Sequence, residues 1–98
     1  MADFMVDPAE LIKLADTDEV WGRALEAVAS ALDERVEAAA AAAGSPELSA
    51  AVRQFCRQWG DELRREAEGS LADGANLRTA AQQYQGTEDT VAANLRSS

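Results

Sequence analysis

AAAAAAGSPE, residues 38–47, decides the fold. Alanine costs least in helix propensity, and a run of it lets two helix backbones approach closely. Gly44 ends that helix, Ser45 is placed to cap the next one, and Pro46 suits its first position. So short a connection between two long periodic segments makes them antiparallel neighbours, an αα-hairpin.

Working outward, the first segment starts at Asp7-Pro8-Ala9-Glu10. Asp7 can cap free N–H groups, Pro8 fits the first turn, and Glu10 sits where a capping-box carboxylate reaches back. Apolar or small residues then recur at Leu11, Leu14, Trp21, Leu25, Val28, Leu32, Ala39 and Ala42, broken at Asp18 and Arg35. Thr17-Asp18-Glu19 is the weak point of this helix, where a kink or second start would fall. The second segment carries Leu48, Val52, Phe55, Trp59, Leu63, Ala67, Ser70, Gly74, Leu77, Ala81, Tyr84, Glu88, Val91 and Leu95. Its steps of three and four mark one helical face. Gly69, Ser70 and Gly74 weaken it, each glycine by roughly 1 kcal/mol relative to alanine, so a break there is the main alternative. The expected architecture is all-α: one domain over residues 1–98, with two long helices at about 8–43 and 46–95, pairing into a four-helix-bundle dimer.

With the turn at 44–46, facing residues have numbers summing to about 91 if both helices rise equally. That register sets Phe55 against Val36, Trp59 against Leu32, Leu63 against Val28, Leu77 against Leu14, and Trp21 against Ser70 beside Gly69. The last pairing would fit a large indole against the smallest residues of the other helix. The register also brings Arg53, Arg57 and Arg64 near Glu37, Asp33 and Glu26; exposed pairs of this kind contribute about 0.2–1 kcal/mol each. The partner position of Pro8 falls near Gln83. Residues 84–98 therefore overhang, facing at most Phe4 and Val6, yet Tyr84, Val91 and Leu95 continue the apolar stripe. A stripe that outruns its intramolecular partner points to another chain. Expected core or partner-interface residues are Trp21, Leu25, Leu32, Phe55, Trp59, Leu63, Leu77, Val91 and Leu95.

Composition narrows the chemistry. Histidine is absent and Cys56 is the single cysteine. His/Cys metal sites and histidine-based triads are thereby excluded, as is an intramolecular disulfide. A lone cysteine is ordinarily a small buried hydrophobe. The net charge of −9 argues against nucleic acid and anionic membranes as partners. Residues 1–49 hold eleven acids and three bases, the remainder seven and six, so the acidity belongs mainly to the first helix. Met1–Asp7 lacks the basic and apolar regions of a cleaved signal, and the longest alanine block falls far short of the ~20 residues of a membrane span. No nucleophile–base pair or phosphate-binding glycine loop is visible. Adjacent acids such as Asp18-Glu19 and Asp33-Glu34 do not share a helical face. No enzymatic activity, cofactor or small-molecule substrate is expected.

The order of these features resembles a known family. Phe4-Met5-Val6-Asp7-Pro8 opens a helix, a glycine-containing turn follows, and Phe55-Cys56-Arg57-Gln58-Trp59 stands early in the second helix. Tyr84-x-x-x-Glu88 then precedes an alanine-containing tail. The chain resembles the EspC-type substrates of type VII (ESX) secretion, relatives of the WXG-type helical hairpins, over nearly its whole length. The resemblance implies export in the folded state, without a cleaved signal, through an ATPase-driven membrane machine. Tyr84 and Glu88, in a tail spanning 84–98, would then be the export signal. The implied partners are the secretion ATPase and a second related hairpin, as a homodimer or heterodimer. The protein would be cytoplasmic before export and secreted after it. In the WXG relatives a turn Trp-x-Gly completes the signal of the partner chain. Here the turn is Gly44-Ser45-Pro46, and Trp21-Gly22 and Trp59-Gly60 lie within helices. The other reading of the same residues is a cytosolic helical adaptor, or a chaperone-like partner for a larger secreted protein.

Overall fold

The computed structural model describes residues 7–97, which form an antiparallel hairpin of two helices, α1 (Pro8–Ala42) and α2 (Pro46–Ser97). The expected covering of the overhang by Phe4 and Val6 lies outside the described residues. The caps follow the sequence. Asp7 Oδ1 accepts from the Ala9 N–H at 2.9 Å, and Ser45 Oγ accepts from the Leu48 N–H at 3.1 Å. Gly44 takes φ of 87°, the left-handed conformation that lets the chain reverse. Both helices run unbroken: Thr17-Asp18-Glu19 lies inside α1, and Gly69–Gly74 inside α2. At ~1.5 Å per residue, α2's 52 residues span about 78 Å, matching the 79 Å long axis of the molecule.

The expected register holds. Ser49 Oγ donates to the Ala40 carbonyl at 2.5 Å, Arg53 pairs with Glu37, and Gly74 lies against Ala15 and Asp18. The numbers in these pairs sum to between 89 and 92. The seam between the helices keeps Leu25 of the expected α1 stripe and Ala67, Gly74 and Ala81 of the expected α2 stripe, but at most other positions it lies about one residue beyond the stripe. Buried in α1 are Ala15, Gly22, Leu25, Ala29 and Ala40; buried in α2 are Gly60, Ala67, Gly74 and Ala81. The α2 set recurs every seven residues, as do Ala15, Gly22 and Ala29 in α1. Most of them follow directly on a large or stripe residue: Leu14 then Ala15, Trp21 then Gly22, Val28 then Ala29, Trp59 then Gly60.

Consequently, most of the large residues expected in the core or at a partner interface lie outside the intramolecular seam. Trp21 and Phe55 are each 58% exposed and Trp59 is 48% exposed. Leu25 alone of the expected set is buried, and Leu32, Leu63 and Leu77 are half-buried at the seam's edge. Trp21, expected against Ser70 beside Gly69, does not cover that glycine. A Cβ at Gly69 would meet nothing within 4 Å. The glycines that matter are Gly22 and Gly74. A Cβ on Gly22 would stand 2.9 Å from Leu71 Cγ and 3.1 Å from the Ala67 carbonyl oxygen; one on Gly74, 3.2 Å from the Ala15 carbonyl oxygen. A backbone oxygen yields less readily than a side-chain end, so an alanine at either position makes the helices give by a few tenths of an ångström. The physical reason for the rotated seam follows. Two helices alone cannot enclose indole and phenyl rings, whereas small residues let the backbones themselves close the gap.

Most of the large exposed side chains, Ile12 and Val20 excepted, are thereby gathered on one face of the hairpin. Leu14, Trp21 and Val28 of α1 stand there, with Leu48, Phe55 and Trp59 of α2; all are exposed. The Phe55 and Trp59 rings touch in a tilted pair with centroids 5.9 Å apart. On the overhang Tyr84, Val91 and Leu95 extend the same row, also exposed. At ~100 Å² for each half-exposed large side chain, these nine amount to roughly 900 Å² of apolar surface, comparable to the ~800 Å² each partner gives to a stable interface.

The seam separates two kinds of glycine. Gly22→Ala should lower the denaturation midpoint followed by circular dichroism, despite gaining helix propensity. Gly69→Ala should raise stability by about 0.5–1 kcal/mol. A stabilised Gly22→Ala would show that the helices separate there at no cost.

Candidate functional site

The overhang is where the chain's own packing stops. Ala81 is the last buried residue of α2, and residues 82–97 are all exposed. This extension is held by bonds within its own helix. Thr87 Oγ1 donates to the Gln83 carbonyl and Thr90 Oγ1 to the Gly86 carbonyl, both at 2.9 Å, and Gln85 Nε2 donates to Asp89 Oδ1 at 3.1 Å. The helix passes through Gly86 without interruption. Tyr84 and Glu88 are thus one turn apart on a single helical face, with Val91 and Leu95 continuing it. Tyr84 is 42% exposed. The pair offers an aromatic ring and a carboxylate side by side to whatever approaches the extension.

The opposite face of the hairpin is polar and ion-paired. Arg53 Nε and Nη2 donate to the Glu37 carboxylate, with Nη2 to Oε2 at 3.0 Å. Arg64 pairs with Asp33 rather than with the expected Glu26, and reaches Asp61 at 3.8 Å. Glu26 instead lines a shallow groove with Ser30, Arg64 and Glu68. Arg57 lines another with Asp33, Val36, Glu37, Arg53 and Cys56. Cys56 is half-buried there rather than fully enclosed.

A third cluster escaped the sequence reading. Arg78 grips Glu19 with two bonds, Nε to Oε1 at 2.8 Å and Nη2 to Oε2 at 2.9 Å, and its Nη2 also donates to Asp16. The numbers 16 and 78 sum to 94 and 19 and 78 to 97, so a register of 91 with an arginine's reach contains the signal. Hydrogen bonding to Arg78 holds the Glu19 carboxyl below its ordinary value of 4.5, and Arg53 does the same to Glu37. Arg78 is raised in turn by its bonds to Glu19 and Asp16.

Asp18 and Glu19, adjacent in sequence, part company in the fold. Glu19 joins Arg78 on the polar face. Asp18 lines a shallow groove with Asp73, Asn76 and Leu77 on the apolar side. Among the described residues no group of three or more His, Cys, Asp or Glu side chains is placed to hold a metal ion, and no helix is long and apolar enough to cross a membrane. Comparison of the chain with protein-family models, with curated proteins and with solved structures finds no match.

The Arg78 cluster sets a pH dependence. Because the Glu19 carboxyl is lowered on folding, its stabilisation is present above the ordinary carboxylate value and is lost as pH falls through the lowered one. Arg78→Met should therefore lower the urea midpoint most at neutral pH, with the gap to the parent closing in strong acid. A gap independent of pH would assign the arginine a packing role only.

Proposed function

We propose that this chain is a non-enzymatic substrate of a type VII (ESX)-like secretion system, exported as a folded helical hairpin. Tyr84 and Glu88 form the signal its ATPase reads. The apolar face pairs with a related hairpin into a four-helix bundle, and the protein is cytoplasmic until exported. The observation that carries this reading is the placement of Tyr84 and Glu88 on an extension of α2 that begins just past the last buried residue, Ala81. An export handle has to be reachable while the module stays folded, and this one lies beyond the reach of α1. Further support comes from the large exposed apolar row, which a second hairpin would bury. The sequence resemblance to EspC-type substrates supplies the specific secretion route.

Expression together with a type VII machine, comparing cell pellet and culture supernatant, tests this. Tyr84→Ala should remain in the cells while the parent chain appears outside. The substituted residue lies beyond the seam, so circular dichroism should show the hairpin intact. Equal export of the variant would remove Tyr84 from the signal; retention of the parent chain would favour the adaptor reading instead.

A further inference from the structure

The two faces of the hairpin differ in how their acids are balanced. On the polar face Asp16, Glu19, Asp33 and Glu37 all have an arginine of α2 against them. The apolar face carries carboxylates too. Asp18 stands in the row of Leu11, Leu25 and Leu32, seven residues apart, and Glu66 and Asp73 continue the row of Val52 and Trp59. None of these three makes an ion pair among the described residues. Only one cation, Arg35, stands on this side, in the row of Leu14, Trp21 and Val28.

We infer that the apolar face takes a different helical chain, one whose own apolar stripe carries lysine or arginine opposite Asp18, Glu66 and Asp73, and not a second copy of this chain. A second copy would bring the same three carboxylates against them, Arg35 as the only facing cation, and a further net charge of −9. Like charges in a closing interface suppress association, and opposite ones steer and select it. A basic helical partner covers the ~900 Å² apolar row and neutralises the acids that the fold leaves unpaired. This inference rests on the pairing part of the proposed function. It makes no use of the export signal, so the two fail separately.

A charge-reversed copy of the chain is a probe of matched shape. Wild type, the Asp18→Lys/Glu66→Lys/Asp73→Lys variant, and their equimolar mixture are compared by sedimentation equilibrium at micromolar concentration, after circular dichroism has shown both to be helical. The mixture should form a one-to-one heterodimer at least about tenfold tighter than either chain alone self-associates, weakening in high salt. The double variant Glu66→Lys/Asp73→Lys, altered only at exposed positions, should show the same trend if the triple variant unfolds. A control reversed away from this face, Glu26→Lys/Glu34→Lys, should bring no such gain. The inference is overturned if wild type self-associates as tightly as the mixture, if the mixture stays monomeric, or if the control mixes equally well.

Discussion

The contact on which the molecule depends is the approach of two backbones along a row of alanine and glycine. Where a Cβ on Gly74 would stand 3.2 Å from the Ala15 carbonyl oxygen, the two backbones come close to direct contact. Apart from Leu25, the large side chains lie at the seam's edge or off it. The chain therefore folds by backbone proximity and displays its best hydrophobic groups. This inverts the usual arrangement, in which large side chains are hidden first. It also makes the hairpin an incomplete object: its intramolecular contact is narrow, and its greatest reserve of apolar area lies on one exposed face.

Length adds a second asymmetry. α1 has 35 residues and α2 has 52, so about one-third of α2 has no α1 alongside. An isolated helix of that size is marginal in water, and Gly86 subtracts from its propensity. The threonines at 87 and 90 bond back to carbonyls one turn earlier, and Arg96 sits in the last turn, where a cation suits the helix dipole. These are weak, local supports. The extension is thus a rod whose shape is set by its own turns and whose apolar row, from Tyr84 to Leu95, is exposed.

Much of this was legible before any coordinates. Asp7-Pro8 and Gly44-Ser45-Pro46 mark their helix ends because caps act within one turn and need only local residue types. The register followed from the short turn, since counting from a tight reversal leaves little freedom. The phase of the seam was not legible in the same way. Trp21-Gly22 and Trp59-Gly60 place a large and a small residue side by side, and a hydrophobicity stripe is drawn to the larger. Ala67, Gly74 and Ala81 fall on the expected α2 stripe, but their strict seven-residue spacing extends to Gly60 rather than Trp59, and glycine carries little weight when apolar character is scored. Arg78 was overlooked for a related reason. Its reach to Asp16 and Glu19 spans more than a turn, and a register drawn between Cα positions understates how far a guanidinium travels.

The rotated seam also explains why charge is divided as it is. The seam sends Asp18 and Glu19 of α1 to opposite sides of the hairpin and parts Leu77 from Arg78 in α2. Had Trp21 and Trp59 occupied the seam, the same rotation would have drawn the acids of the polar face away from Arg64 and Arg78. Apart from the part-buried Arg78–Glu19 pair, the ion pairs are exposed and individually weak, so they do not hold the helices together. They act instead as a preference for one rotation of the helices over its neighbours. That is the rotation in which the small residues meet, the arginines are matched, and the indole rings face outward together.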